Sequence, residues 1–269
     1  MLTIKEAIKQ ASLTLSHLEN PQKEARLLLC HFLKKDAIYL TLHDNKKIDE
    51  SFFSLVQKRA KDVPLEYITK TVTFYSEEFF IDEGALIPRP ETELLIDEVL
   101  KLSLPSSPKV AEIGVGSGII SIMIKKLIPD ATITATDINE KAIQIAQKNC
   151  QLYDTDIRVL HTSYLDGIDE KFDLIVSNPP YIKNGFPLDK NLDYEPQNAL
   201  FGGEKGDEIL KNIVDLAIIK KPLYLVCEMG YDQKESMREY FEQKGLKRYS
   251  FYKDLANFDR GFVVEFDRV

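Results

Sequence analysis

In the first quarter of the chain, apolar residues recur at three- and four-residue intervals, the spacing of one helix face. Thr3 followed by Glu6 forms a capping box ahead of the first of these runs. Further helices of the same kind are expected to begin at Asn20, Asp36 and Asp49. Because no strand pattern precedes Pro64, residues 1–66 are predicted to form a small N-terminal helical domain.

The pattern then changes to one of strands. Aromatic and β-branched residues on either side of Ser76 predict a hairpin, which would make residues 67–88 a linker. Beyond a Pro/Ser segment at 104–108, apolar strand patterns alternate with helical ones. The strands are expected near 110–113, 131–135, 157–160, 172–176, 223–227, 247–251 and 261–266. This alternation predicts an α/β domain with a seven-stranded, mostly parallel, doubly wound sheet of the Rossmann-like type.

Ligands of such sheets bind at the carboxyl ends of the strands, so the residues that follow the first two strands are candidates for a site. The first strand runs through Glu112 into the loop Gly114-Val115-Gly116-Ser117-Gly118, where glycines permit a sharp turn and a close backbone approach. The second strand ends at Asp137, an acid placed to accept hydrogen bonds from ribose hydroxyls. Together they indicate a nucleoside cofactor.

Two cofactors fit that description. A dinucleotide usually takes the wider spacing G-x-G-x-x-G, which seats a pyrophosphate. This loop has G-x-G-x-G, and the acid Glu112 beside it disfavours an anion and suits a cationic amino-acid tail. The charge therefore favours S-adenosylmethionine. Tyr164, after the third strand, either covers the adenine or is a half-buried aromatic residue of the domain.

The stretch Ser177-Asn178-Pro179-Pro180-Tyr181 follows the buried strand 172–176. Prolines have no N–H group, and they stiffen this turn, so it presents acceptors with few competing donors. Such a turn suits a planar –NH2 group: the Asn178 side-chain oxygen and the Pro179 carbonyl each accept one of its hydrogens. The nitrogen lone pair is then free to point at a methyl group, and Tyr181 offers a flat face for the substrate. The alternative is that these residues only form a tight turn.

A second candidate, Arg89, is held in extended chain by the prolines on either side of it. It could steady a carboxylate or a loop of a partner, or it could pair with nearby acids. No histidine has the spacing of a metal ligand or of a catalytic base, so neither a metal nor histidine catalysis is predicted.

Composition narrows the classes of protein further. The formal net charge is −8, so the chain lacks the broad basic surface that non-specific nucleic-acid binding requires. No apolar run has the roughly 18 residues of a membrane span, and no signal peptide begins the chain. Its 3 cysteines are widely spaced, as in a protein of a reducing compartment. A cytoplasmic protein is therefore expected, with a monomer as the simplest state.

The turn at 178–181 together with the glycine loop resembles the amino-methyltransferases of the seven-stranded, S-adenosylmethionine-dependent class. Three other segments are similar to one family of that class, the peptide chain release factor glutamine N5-methyltransferases (the HemK or PrmC family). They are Ile87-Pro88-Arg89-Pro90-Glu91-Thr92-Glu93, Tyr194 to Gly203 and Asp254 to Arg260.

The resemblance implies a methyltransferase domain over 89–269 and a release-factor-binding role for 1–66. It implies methyl transfer to the side-chain amide of the glutamine in the Gly-Gly-Gln loop of class I release factors. Residues implied to hold the cofactor are Gly114, Val115, Gly116, Ser117, Gly118, Asp137, Tyr164 and Asn178. Asn178 and Pro179 are implied to be catalytic, and Asn178, Pro179, Pro180, Tyr181 and Arg89 to bind the substrate.

Besides a dinucleotide oxidoreductase, which the charge beside the glycine loop disfavours, two rivals remain at the level of sequence. An adenine N6 amine of DNA or ribosomal RNA poses the same geometric problem as a glutamine amide, and the turn alone does not separate them. The acidity of the chain argues against a nucleic-acid substrate. The other rival is a binding module that has lost its catalysis, against which the intact glycine loop, Asp137 and Asn178 argue.

Overall fold

The computed structural model describes residues 1–267 and divides them into two units. The first unit comprises residues 1–71 together with 189–194. Its helices are α1 Ile4–Thr14, α2 Pro21–Leu33, α3 Ala37–Leu42, α4 Phe52–Arg59 and α5 Leu65–Thr69. Their apolar faces enclose a core that includes Ile4, Ala11, Leu28, Leu29 and Phe52. The helical pattern of this part of the sequence is therefore confirmed.

The predicted helix starts are present with two differences. The helix expected to begin at Asp49 begins at Phe52, with Ser51 at its N-cap. Thr3 and Glu6 form a reciprocal capping box, in which the Glu6 N–H donates to Thr3 Oγ1 at 3.2 Å and the Thr3 N–H to Glu6 Oε2 at 2.9 Å. Asn20 stands at the N-cap of α2, but its side chain makes no hydrogen bond to the helix. The fixed φ of Pro21 at the first helical position favours the start of this helix instead.

The first unit extends past residue 66, because the chain there forms the short helix α5 before it turns into a strand. Ile68 of α5 is buried in the helical core. A distant piece of chain, 189–194, also belongs to this unit, and the Tyr194 hydroxyl donates to the Lys61 carbonyl at 2.7 Å. Neither feature has a signal in the local sequence pattern.

The second unit comprises residues 72–188 and 195–267 of the described chain. The hairpin predicted around Ser76 is formed by β1 Thr71–Phe74 and β2 Glu77–Phe80. The strands that follow are β3 Lys109–Ile113, β4 Thr132–Asp137, β5 Ile157–His161, β6 Leu174–Ser177, β7 Ile182–Lys183, β8 Phe201–Gly203, β9 Tyr224–Glu228, β10 Tyr249–Lys253 and β11 Asp259–Glu265. The helices are α6 Glu93–Leu100, α7 Ile119–Leu127, α8 Glu140–Leu152, α9 Gln197–Leu200, α10 Glu208–Lys220 and α11 Lys234–Gln243.

A seven-stranded sheet organises this unit, with the strand order β10-β11-β9-β6-β3-β4-β5. All neighbours pair in parallel except β11, which is antiparallel to both β9 and β10. The predicted doubly wound sheet is therefore confirmed. The chain winds from β3 to one side through β4 and β5, and then crosses to β6 on the other side. Ligands of such folds bind at this reversal, outside the carboxyl ends of the strands.

Two details were not predicted. Strand β10 lies two residues later than the expected 247–251, and β11 begins two residues before the expected 261–266, because Lys253 of β10 pairs with Asp259 of β11. Strands β7 and β8 form a separate parallel pair, too short to give a pattern in the sequence. No helix within residues 1–267 is long and apolar enough to cross a membrane.

Candidate active site

The loops that follow β3, β4, β5 and β6 meet at the carboxyl edge of the sheet and line a cavity. Most of the residues predicted for the site contribute to its wall. They are Gly114, Val115, Gly116, Ser117, Asp137, Tyr164, Asn178, Pro179 and Pro180. Three other predicted residues, Gly118, Tyr181 and Arg89, lie outside this lining. The cavity is at the strand reversal where the topology places a ligand site.

The glycine loop after β3 needs its glycines for two different reasons. Gly114, Gly116 and Gly118 have φ of 78°, 53° and 83°, in the left-handed region that disfavours residues with a Cβ. At Gly114 and Gly116 a Cβ would meet nothing within 4 Å, so only the backbone conformation requires glycine there. At Gly118 it would also lie 3.1 Å from the Ala146 Cβ of α8. Gly118 therefore has a packing reason for being glycine.

Glu112 is a buried carboxyl in the cavity wall. Its Oε2 atom accepts from both the N–H and the hydroxyl of Ser121, in the first turn of α7. Its Oε1 atom is buried and has no hydrogen-bond partner among the described residues. Burial raises the pKa of Glu112 to about 8, opposed by the Ser121 bonds and assisted by the charge of Asp137. The wall thus contains an acceptor with unused capacity.

Asp137 connects the loops after β3 and β4. Its Oδ2 atom accepts from the Gly116 N–H at 3.0 Å and its Oδ1 atom from the Asn139 N–H at 2.8 Å. A carboxylate has further lone pairs, so these bonds fix its position while leaving it able to accept from ribose hydroxyls. Tyr164 lines the same cavity, and its hydroxyl accepts from Asn212 at 3.1 Å. That bond holds the aromatic ring in place at the wall.

The side chain of Asn178 has a defined orientation. Its Nδ2 group donates to the Thr92 hydroxyl at 3.0 Å. Because one N–H of the amide is bound to Thr92, the nitrogen is held on that side and the Oδ1 atom is left to accept from a ligand. The next two residues, Pro179 and Pro180, add wall without adding an N–H donor. This edge of the cavity is therefore rich in acceptors.

The side chain of Tyr181 does not line the cavity. Its hydroxyl donates to Glu228 Oε1 at 3.0 Å, and its backbone carbonyl accepts from Gln233 at 2.9 Å. Burial and the nearby Glu228 carboxyl raise the pKa of Tyr181, so the hydroxyl stays protonated at neutral pH. These contacts hold the turn from behind, and a direct contact of Tyr181 with a substrate stays a prediction.

Arg89 pairs with an acid, but not with one of its neighbours in sequence. Its guanidinium donates to Glu195 Oε1 at 2.5 Å and to its own chain at the Ile87 carbonyl at 2.8 Å. The other oxygen of Glu195 accepts from the Ile87 N–H at 2.9 Å. Glu195 is almost fully buried and Arg89 one-third exposed. The pair ties the segment before α6 to the segment after β7.

Sequence reasoning missed three polar residues that support the site, which are Thr92, Glu195 and Glu228. Thr92 and Glu195 lie within segments singled out for their pattern, but nothing local shows that they contact Asn178 and Arg89. Glu228 did carry a signal, because it is an acid directly after the apolar strand pattern at 223–227, at the ligand edge of the sheet.

Comparison with known proteins identifies the kind of domain to which each part of the chain is similar. The family model described as a methyltransferase small domain matches residues 90–193, and the one described as the PrmC N-terminal domain matches residues 6–69. Among solved structures, a ribosomal protein L11 methylase from Lactobacillus delbrueckii subsp. bulgaricus superposes with a TM-score of 0.51 at 23% identity. The match covers 70% of this chain and 84% of that one, and it bears on the fold alone. The second unit is a methyltransferase domain.

Curated relatives narrow the class to a family. A release factor glutamine methyltransferase from Clostridium acetobutylicum is 32% identical over 96% of this chain and 97% of its own length. This chain belongs to the release factor glutamine methyltransferase family. A bifunctional methyltransferase from Rickettsia bellii is 34% identical over 98% of this chain and 54% of its own length. The chain thus spans about half the length of that relative.

Proposed function

We propose that this protein transfers a methyl group from S-adenosylmethionine to the side-chain amide nitrogen of a glutamine, in the Gly-Gly-Gln loop of class I release factors. The observation that carries the proposal is the orientation of Asn178, whose Nδ2 group is bound by Thr92 and whose Oδ1 atom is left for a ligand. It stands in one cavity with the glycine loop and Asp137. Membership of the family supports the choice of a glutamine over a base.

The residues of the wall fit the proposed cofactor. S-Adenosylmethionine, when bound, supplies a methyl group on a cationic sulfonium. Glu112 Oε1, a buried acceptor without a partner in the described chain, suits the ammonium of its amino-acid tail. Asp137 would accept from the ribose hydroxyls and Tyr164 would cover the adenine, with the loop 114–117 approaching by its backbone. A pyrophosphate is anionic, so the carboxylate of Glu112 would repel it.

Catalysis rests on position and on fixed dipoles in this proposal. A carboxamide nitrogen is a poor nucleophile because its lone pair is delocalised into the carbonyl. Asn178 Oδ1 and the Pro179 carbonyl each accept one amide hydrogen, which aims the lone pair at the methyl carbon and stabilises the positive charge that develops on nitrogen. The turn 178–181 contains no general base, so the proton leaves to water afterwards.

The helical first unit is proposed to dock the release factor. Support comes from its match to the PrmC N-terminal domain and from the apolar side chains that it exposes, among them Leu13, Ile38 and Leu42. Release factors act in the cytoplasm, which agrees with the free thiols of Cys30, Cys150 and Cys227. A net charge of −8 supports a protein substrate over a nucleic acid.

The test is incubation of the protein with labelled S-adenosylmethionine and, separately, a class I release factor, a short Gly-Gly-Gln peptide, and DNA or ribosomal RNA. Mass spectrometry should locate one added methyl group on the glutamine of the factor. If the helical unit docks the factor, the peptide should react with a much higher KM. Label on the nucleic acid and none on the factor would overturn the proposal.

Asn178→Ala should reduce single-turnover methyl transfer by about 10²–10³-fold, on the order of 2.7–4 kcal/mol of transition-state stabilisation, as for other fixed dipoles at a reacting group. Cofactor affinity should change little. Gln151→Ala, at an exposed position of α8, is the matched control and should react like the wild type. A rate for Asn178→Ala within a few-fold of wild type would show that Asn178 does not position the substrate.

A further inference from the structure

The segment that carries Thr92 has little regular structure of its own. Between the end of β2 at Phe80 and the start of α6, residues 90–92 form a short 3₁₀ turn, and the chain before that turn is irregular. The Thr92 hydroxyl nevertheless has to be held in place, because it accepts from Asn178 Nδ2 and so sets the direction of the Asn178 amide. Contacts with other parts of the fold are therefore needed to fix the turn.

Glu195 supplies two such contacts. Its Oε2 atom accepts from the Ile87 N–H at 2.9 Å, and its Oε1 atom accepts from the Arg89 guanidinium at 2.5 Å. The same guanidinium donates to the Ile87 carbonyl at 2.8 Å, which closes a ring of three hydrogen bonds. The side chain of Glu195 is 2% exposed. Both oxygens of this buried carboxylate are therefore committed to the segment that leads into the turn.

The turn carries this restraint on to Asn178. The Thr92 N–H donates to the Arg89 carbonyl at 3.0 Å, so Arg89 is bonded to Glu195 by its side chain and to Thr92 by its backbone. The Thr92 hydroxyl then accepts from Asn178 Nδ2 at 3.0 Å. Every step from Glu195 to Asn178 is thus a hydrogen bond formed in the structure or a covalent path within one residue.

Glu195 is in turn fixed relative to the reacting turn 178–181. The chain that follows Glu195 reaches β8, which pairs with β7, the strand directly after the reacting turn. At Gly202 of β8 an added Cβ would lie 2.5 Å from the Pro180 carbonyl oxygen, so the two backbones are in close contact. The reacting turn is therefore held between two segments, and the ion pair of Glu195 joins those segments to each other.

We propose that Glu195 and Arg89 are positioning residues, which hold Thr92 in place and through it keep the Asn178 oxygen aimed at the substrate. The inference rests on the proposed function, in which that oxygen accepts a hydrogen of the glutamine amide. Neither Glu195 nor Arg89 lines the cavity. Arg89 thereby has a role other than the direct substrate contact that its motif suggested, since its guanidinium bonds within the protein.

The test compares kcat, the KM for the release factor and the cofactor Kd across variants of the ion pair. Arg89→Met removes the donors, and Glu195→Gln keeps an acceptor for the Ile87 N–H while removing the charge. In both, kcat should fall by roughly tenfold to a hundredfold, because a misplacement of about 1 Å can cost about 10²-fold. KM and Kd should change little, since the helical unit and the glycine loop are not part of this path. Arg89→Lys, which keeps a charged donor for Glu195, should recover part of the lost kcat.

A matched control is present in the hairpin of β10 and β11. Asp254 there accepts from the Arg260 guanidinium at 2.7 Å and from the Phe258 N–H at 2.8 Å, the same combination of partners that Glu195 has. These three residues do not line the cavity. Asp254→Asn should therefore lower the melting temperature and leave kcat unchanged. If Arg89→Met and Glu195→Gln also lower only the melting temperature, the ion pair is merely structural and the proposal is wrong.

A double variant tests the route through Thr92. Thr92→Val keeps the shape and removes the hydroxyl, so its kcat should fall by roughly tenfold to a hundredfold. Because the ion pair acts through that hydroxyl, adding Arg89→Met to Thr92→Val should lower kcat little further. Losses that multiply would overturn the proposal, as would a kcat for Arg89→Lys no higher than that for Arg89→Met. A KM for the release factor that rises at constant kcat in Arg89→Met would do the same, because it would show a direct contact with the substrate.

Asn178→Ala measured in the same series separates this inference from the proposed function. If Asn178→Ala transfers methyl at the wild-type rate, the proposed role of Asn178 is wrong and the positioning role falls with it. If Asn178→Ala is slow while Arg89→Met and Glu195→Gln are as fast as the wild type, the proposed function stands and the positioning role of the ion pair is wrong.

Discussion

The buried carboxyl of Glu112 makes cofactor affinity depend on pH. Burial raises its pKa to about 8, so in the protein without cofactor it is mostly neutral at pH 7. An ammonium group beside Oε1 favours the ionised form, because an opposite charge stabilises it. Binding of S-adenosylmethionine should therefore release a proton. Since deprotonation of Glu112 favours binding, affinity should rise as pH rises towards about 8.

The size of the effect follows from the pKa. With a pKa of about 8, Glu112 is about 1% ionised at pH 6 and about 9% ionised at pH 7, while an amino-acid ammonium stays protonated. The Kd should accordingly fall about tenfold from pH 6 to pH 7, which corresponds to about 1.4 kcal/mol. S-Adenosylhomocysteine, which keeps the ammonium and lacks the sulfonium charge, should show the same dependence.

Isothermal titration calorimetry measures both quantities, the Kd at each pH and the protons released, from titrations in buffers of different ionisation enthalpy. Glu112→Gln keeps an acceptor for Ser121 and cannot ionise, so its Kd should be nearly constant from pH 6 to pH 7. Glu239→Gln, at an exposed site of α11, should behave like the wild type. A wild-type Kd independent of pH, or an unchanged slope in Glu112→Gln, would refute the role given to this carboxyl.

Two further predictions concern stability and are checked by chemical denaturation. Gly118→Ala should lower the free energy of unfolding by about 2 kcal/mol or more, because left-handed strain of roughly 1–2 kcal/mol adds to the contact with α8. Gly245 is the control: its φ is 73°, and an added Cβ would meet nothing within 4 Å, so Gly245→Ala should show the strain alone. Asn149→Ala should lower the free energy of unfolding by about 3 kcal/mol or more. The buried amide of Asn149 hydrogen-bonds the N–H and the carbonyl of Phe80 and the carbonyl of Ser117, and each of these groups left without a partner costs about 1–3 kcal/mol. Losses below about 1 kcal/mol for Gly118→Ala or Asn149→Ala would contradict these assignments.

Much of the fold could be predicted because its signals are local. A capping box spans four residues, and the contact between Thr3 and Glu6 is confirmed at hydrogen-bond distance. Buried parallel strands appear as apolar runs, and the alternation with helices leaves few possible topologies. The loop 114–118 and Asp137 were located for the same reason, since ligand sites of doubly wound sheets follow the strand ends.

The remainder depends on contacts between residues far apart in sequence. Asn178 and Thr92 are separated by 86 residues, and Arg89 and Glu195 by 106. No periodicity or spacing encodes such a pairing, because any buried acid would satisfy the pattern around Arg89 equally well. Gly118 illustrates the same limit: the motif includes it with the ligand loop, whereas its closest constraint is Ala146, a neighbour that only packing provides.

These long-range contacts have one chemical consequence for the cavity, which is that several N–H groups in and around it are bound within the protein while two side-chain oxygens of its wall remain for a ligand. The Gly116 N–H is bound by Asp137, the Ser121 N–H by Glu112 and the Asn178 Nδ2 group by Thr92, and the prolines of the turn have no N–H to offer. Asn178 Oδ1 keeps its accepting capacity, and so does Glu112 Oε1 when the carboxyl is ionised. These acceptors favour ligands with positive charge or with –NH2 groups, whereas a phosphate needs donors. The same two oxygens would suit the cationic methyl donor and the amide nitrogen of the proposed reaction, and an ionised Glu112 would disfavour the pyrophosphate of a dinucleotide.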